Sequence, residues 1–259
     1  MDKNFKIVIE YDGSEFFGWQ KQKNRQTIQE EIEIVLSIIL NQKIKINGSG
    51  RTDAGVHAYG QVANFHADTS IDPLKLKKAV NSLIKLPIVI RDCTIVDEKF
   101  HARYNAASKE YHYFILNQED PCAIKRQYQW HIRHDLDIQT MNQCCELITG
   151  TFDFKSFENT GSPKSSSIRE VFFAKIDAIH KNPDKNQDSN KHSNRLVLKI
   201  CANGFLRYMV RNLMGTIVLA GTNKITPDEF RKILEAKERI KAGPTAPPHG
   251  LFLKQVNYS

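Results

Sequence analysis

The sequence predicts an α+β fold built of two βαββαβ halves. Three observations carry this prediction. Short β-branched and aromatic runs alternate with amphipathic helical stretches. The order strand, helix, strand, strand, helix, strand occurs twice along the 259 residues. Helix-start signals, a Thr or Asp followed by Pro or by Glu at the third position, stand at the head of several helical stretches.

Residues 5–11 are β-branched and aromatic and read as a first strand. Thr27 then opens a helix, with Glu30 completing a capping box and Ile28, Ile32, Val35 and Ile39 on one face. Residues 43–48 and 61–66 read as two strands. Asp72 and Pro73 are N-cap and first-turn signals for a second helix, whose apolar face is Leu76, Val80, Leu83 and Ile84. Residues 88–96 close the first half as a strand, giving the split-βαβ order of a ferredoxin-like sheet.

The second half repeats that order. Residues 110–116 read as a strand and 136–148 as a helix. Residues 171–180 and 195–201 are two further strands. A helix follows over 206–219, with Leu206, Val210, Leu213 and Ile217 as its stripe. Thr226, Pro227, Asp228 and Glu229 start an added helix with a capping box, and residues 251–258 form the last strand. The halves are residues 1–103 and 104–259. Only the element order repeats, not the residues. The polar stretch 181–192, "KNPDKNQDSNKH", reads as a mobile hairpin loop.

The formal net charge is +8, from 37 Lys and Arg against 29 Asp and Glu. Such a surplus favours a polyanionic partner, RNA or DNA first, although solvated lysine-rich faces have the same composition. The five cysteines, Cys93, Cys122, Cys144, Cys145 and Cys201, form no C-x-x-C pair. They read as reduced thiols of a cytoplasmic protein, without a disulfide framework or zinc site. The N-terminus "MDKNFKIVIEYDG" has no apolar signal region, and no apolar run reaches the roughly 18 residues of a membrane span.

The stretch "NGSGRTDAGVHAY" stands out. It fits no phosphate-binding glycine template, and one carboxylate does not hold Ca²⁺ or Mg²⁺ without partners. What remains is Asp53 on a tight turn, two residues after Arg51. An ionised, partly desolvated carboxylate acts as a nucleophile or a base; an Asp closing its own Asx-turn gives the same pattern. Farther along, Tyr111 and Tyr113 alternate onto one face of a strand, where they suit either base stacking or a core. Arg207 and Arg211 lie one helical turn apart beside an apolar stripe, and snorkelling is an alternative for both.

Together these segments resemble the tRNA pseudouridine synthase A family. The resemblance rests on "EYDGSEFFGWQ", "GSGRTDAGVHAYGQVANFHA", "FHARYNAASKEYHYFI", "ANGFLRYMVRNLMG" and "PTAPPHGLFLKQVNY", which span nearly the whole chain in the family's order. It implies two RRM-like halves forming one extended, mostly antiparallel sheet with helices on one face and a central cleft. It also implies isomerisation of uridine to pseudouridine at positions 38, 39 and 40 of tRNA, with base flipping and as a homodimer. By matching motif, Asp53 is the nucleophile and Tyr111 the ring that stacks on the target base. Arg211 is the basic partner of the aspartate, and Arg51 helps hold the nucleotide out of its helix. The stretch "FDFKSFENTGSPKSSSIREV" matches loosely: Gly161, Ser162 and Pro163 stand where the family often has a cysteine.

The isomerisation breaks the N1–C1′ bond and makes a C5–C1′ bond, so no cofactor and no metal is expected. Attack at C1′, attack at C6 and assisted glycal formation all remain open. A non-catalytic RRM-type RNA-binding module is one alternative, but it leaves the anionic R-T-D-A-G-V-H turn unexplained. A nucleoside or glycoside hydrolase using Asp53 is another, but none of Glu10, Asp12, Glu98 and Glu110 has a convincing placement as the second carboxylate that hydrolysis usually recruits.

Overall fold

The computed structural model describes residues 2–159, 166–179 and 195–258. The stretch 181–192 and the loosely matching residues 161–163 lie outside them. In chain order the first elements are β1 (Asp2–Tyr11), α1 (Ile28–Leu40), β2 (Asn47–Gly48), β3 (His57–Asp68), α2 (Pro73–Leu83) and β4 (Ile88–Val96). There follow β5 (Ala106–Asn117), β6 (Trp130–Ile132), α3 (Ile138–Leu147), β7 (Gly150–Asp153), β8 (Ile168–Ala178) and β9 (Arg195–Ala202). The chain ends with α4 (Met209–Gly221), α5 (Pro227–Ala236) and β10 (Leu251–Tyr258). The residues group into two compact units, Met1–Lys109 with Phe252–Ser259, and Glu110–Leu251.

In the first unit β1 is flanked by β4 and β3, both antiparallel, and β2 pairs antiparallel with β3. Phe5 and Phe65 are register partners and stack at 5.3 Å, both fully buried. Inward residues of the two helices, Ile32, Leu36, Leu76 and Val80, meet Ile7 and Ile90 of the sheet. Each such side chain, once buried, contributes ~1.5–3 kcal/mol. Asn4 and Asn64 are buried too, and they are satisfied. Asn4 Nδ2 donates to the carbonyls of Asp97 (2.9 Å) and Phe100 (2.8 Å), and Asn64 Oδ1 accepts from the Ala102 amide (2.9 Å). They pin the connection that follows β4.

Two expectations fail here. Thr27 is the N-cap of α1 but makes no side-chain cap bond, so there is no capping box. Its hydroxyl is buried without a partner among the described residues. Glu30 pairs instead with Lys21 Nζ at 3.0 Å, an ion pair outbidding the backbone amide. The strand expected over 43–48 shrinks to Asn47–Gly48. At α2 the signals hold: Asp72 accepts from the amides of Leu74 and Lys75 with Pro73 in the first turn, though Leu83 is 46% exposed rather than on the buried face.

The second unit carries the strand order β5-β9-β8-β7, with β6 added in parallel to β5. β6 and β7 were not expected; three and four residues are too few to show a period. α4 begins at Met209, later than expected, because Tyr208 takes a left-handed φ of +66°. It is buried nearly all round, so its sequence shows more than one stripe. α5 has the expected capping box, Thr226 with Glu229. The last strand, expected to close residues 104–259, groups with the first unit: Phe252 and Leu253 pair in parallel with His57 and Ala58 of β3.

Candidate active site

Asp53 lies half-buried on a turn between β2 and β3, closed by the Val56 amide donating to the Asp53 carbonyl at 3.2 Å. Gly55 supplies the left-handed φ of +76° that this turn needs. The turn is gripped from behind by the segment after β1. Thr52 is buried, its hydroxyl 2.7 Å from the Tyr11 phenol oxygen, and its carbonyl accepts from the Trp19 amide at 3.1 Å. Burial pushes the Tyr11 phenol far above its ordinary pKa, so it stays protonated.

Gly13 and Gly18 allow this grip. A Cβ on Gly13 would lie 2.0 Å from the Val56 carbonyl oxygen, and one on Gly18 2.6 Å from that of Thr52. The Gly13 amide also donates to His57 Nδ1 at 3.1 Å. On the approach to the turn, Ser49 Oγ donates to Gln61 Oε1 at 2.6 Å, and Gln61 Nε2 returns to the Gly50 carbonyl at 3.0 Å. Lys109 Nζ caps the Ser49 carbonyl at 2.7 Å. Gly48 and Gly50 therefore serve the chain's own packing. The first makes room for the Trp19 indole, and the second for the Lys109 ammonium.

Arg51, on the same turn, is exposed. Its Nε donates to Gln20 Oε1 at 3.0 Å, so its bonded partner is Gln20 and not Asp53.

In the second unit Tyr111 stands on β5, only 7% exposed, with its ring edge-on to Phe205 at 5.1 Å. Tyr113 is fully buried and donates its hydroxyl to the Pro247 carbonyl at 2.8 Å. It is a core residue whose phenol burial keeps protonated. Arg211, in the first turn of α4, is half-buried. Its Nε donates to the Ala246 carbonyl at 2.8 Å, and the Ala246 amide donates back to the Arg211 carbonyl at 3.1 Å. Its guanidinium lies 4.7 Å from the Tyr208 ring centroid, and that of exposed Arg207 lies 5.2 Å from the same ring. Burial, and next to it the Arg211 charge against the opposing pull of the Gln129 carbonyl, lowers the pKa of His249.

The sequence reading did not single out Tyr11, Gln61 or Lys109 as supports of the Asp53 turn, nor Ala246 as the anchor of Arg211. All four stand within the segments that carry the family resemblance, and Lys109 also lies two residues before Tyr111. Among the described residues no group of three or more His, Cys, Asp or Glu is placed to hold a metal ion. Among those residues, too, no helix is long and apolar enough to cross a membrane.

The family profile described as tRNA pseudouridine synthase matches residues 7–105 and 144–259. A protein of Thermoanaerobacter sp. named tRNA pseudouridine synthase A is 41% identical over 256 residues, covering 99% of this chain and 100% of the relative. A protein of the same name from Acetivibrio thermocellus is 39% identical over the same shares of both chains. One from Clostridium perfringens, named tRNA pseudouridine synthase A 2, is 37% identical over those shares.

Proposed function

The chain belongs to the tRNA pseudouridine synthase family, and from that premise we propose that it isomerises uridine to pseudouridine in the anticodon stem-loop of tRNA, at positions 38, 39 and 40. The observation that carries this is the full-length likeness to proteins named tRNA pseudouridine synthase A, together with the R-T-D-A-G-V-H turn. The enzyme is an isomerase: the N1–C1′ bond breaks, a C5–C1′ bond forms, N1 gains a proton and C5 loses one to water. No electron is transferred.

Asp53 is the reacting carboxylate. Its turn is fixed at both flanks by buried hydrogen bonds and by glycine contacts with backbone, the rigidity that a near-attack geometry requires. Arg211 keeps that carboxylate ionised and oriented. Support for this comes from its motif and from its fixed anchorage on Ala246. Tyr111 stacks on the target base; its ring is already braced by Phe205, so little freedom is lost on stacking. Arg51, exposed beside the turn, holds the flipped nucleotide. Extruding a stacked base costs a few kcal/mol, and phosphate contacts of a chain with net charge +8 offset that cost.

The fold reading is two ferredoxin-like, RRM-like halves. The first unit supports it by its order β4-β1-β3 with β2 on β3, all antiparallel. The working assembly is a homodimer in the cytoplasm, a reading that rests on the family resemblance. The test is release of tritium to water from tRNA carrying [5-³H]uridine. Isomerisation releases the label and leaves the nucleotide count intact. Free uracil would mean hydrolysis, and binding without release would mean an RNA-binding module.

A further inference from the structure

Arg211 is tied to Ala246, and Ala246 belongs to a segment, residues 242–246, that has no regular secondary structure. The position of Arg211 therefore depends in part on whatever holds that segment. The holder is Arg239. Its Nη1 donates to the carbonyls of Ala242 (3.3 Å) and Gly243 (3.0 Å). Its Nη2 donates to Asn212 Oδ1 (3.1 Å) and Thr245 Oγ1 (3.1 Å). One arm of the fork thus grips the segment, and the other reaches α4 at the residue next to Arg211.

The rest of the network closes around this fork. Thr245 Oγ1 donates to Asn212 Oδ1 at 2.6 Å, and Asn212 Nδ2 donates to the Phe157 carbonyl at 2.8 Å. The Gly243 amide donates to Thr216 Oγ1 at 2.9 Å, and Thr216 Oγ1 donates to the Asn212 carbonyl at 2.8 Å. Asn212 and Thr216 are fully buried. Backbone meets backbone here: a Cβ on Gly215 would lie 1.7 Å from the Pro244 carbonyl oxygen. All four bonds that the Arg239 guanidinium makes among the described residues go to neutral acceptors. A cation so placed fixes geometry rather than neutralising a carboxylate. A lysine, as a single point donor, cannot span both arms.

We propose that Arg239 is a positioning residue for the chemistry: through Asn212 and Thr245 it bolts residues 242–246 to α4 and thereby sets the Arg211 guanidinium. This rests on the reading of Arg211 as partner of the reacting aspartate.

The test is a double-mutant cycle on the full chain, with single-turnover rate, tRNA Kd and Tm measured for wild type, Arg239→Lys, Arg211→Lys and the double variant, all assayed well below their Tm. Arg239→Lys is expected to lower the rate about 10- to 100-fold, the effect of a misplacement of roughly 1 Å. Its Kd should stay within about twofold, and in the Arg211→Lys background the same change should cost less than about threefold, because the two act as one unit. Equal losses in both backgrounds, or no loss in either, overturns the inference while leaving the role of Arg211 standing. A wild-type rate in Arg211→Met, which removes the charge that Arg211→Lys retains, overturns that role and this inference together. If Arg239→Lys does not fold, Thr245→Val, which removes the hydroxyl's bonds to Arg239 and Asn212 and keeps the guanidinium itself, completes the same cycle with the same reading of its outcomes.

Discussion

Replacing Gly13 with alanine is expected to slow turnover about 100-fold and to leave most tRNA affinity in place. The new Cβ would lie 2.0 Å from the oxygen and 2.7 Å from the carbon of the Val56 carbonyl. Both are backbone atoms, so no side chain can swing aside. To reach ordinary contact at 3.4 Å the Asp53–Val56 turn must retreat by roughly 1.4 Å, and a displacement of even about 1 Å at a reacting group costs about two orders of magnitude in rate. The Gly13 backbone is not in the left-handed region, so the effect comes from contact and not from φ. The same shift loosens the bond from the Gly13 amide to His57 Nδ1. Overpacking of this kind also costs ~1–3 kcal/mol of stability. The assay is single-turnover tritium release, with Kd by filter binding and Tm by calorimetry. A wild-type rate with an unchanged Tm would refute the claim that backbone contact from residues 13–18 fixes the Asp53 turn for the proposed chemistry.

Thr27→Val removes a buried hydroxyl that has no partner among the described residues and keeps the shape of the side chain; thermal unfolding should show a variant as stable as wild type or up to ~2 kcal/mol more stable, and a clear loss of stability would mean the hydroxyl is satisfied. Tyr111→Ala should lose ~1–3 kcal/mol of base stacking and with it turnover, whereas Tyr111→Phe should bind tRNA as wild type does; an alanine variant with wild-type rate and affinity would place the stacking platform elsewhere. Affinity for tRNA should fall with salt, with a log–log slope steeper than about −2; a flat plot would refute the electrostatic account of binding.

What was legible in the sequence follows from how local each signal is. β4, β10 and the start of α5 stand where the residues put them, because a β-branched run or a capping box is written in adjacent residues. Thr27 and Glu30 carry the same capping pattern and do not form it, since Lys21, outside the pattern, captures the carboxylate. β6 and β7 escape notice because pairing with neighbours, not periodicity, makes them strands. The glycine turn with Asp53 could be read from its own residues. Its supports could not: Tyr11 meets Thr52 across 41 positions, Gly13 meets His57 across 44, and Lys109 meets Ser49 across 60. Arg239 was invisible for the same reason, as its partners gain meaning only once α4 and residues 242–246 lie side by side.

The central claim, that Asp53 is the reacting carboxylate of a uridine isomerase, is tested most directly by Asp53→Asn. The amide keeps the size of the side chain and removes its charge. With excess enzyme and tRNA labelled at uridine C5, wild type should release the tritium of the target uridines to water. The variant should bind the same tRNA with wild-type affinity and release none above background. Turnover above about one-hundredth of the wild-type rate, with deamidation excluded by mass spectrometry, would contradict the claim.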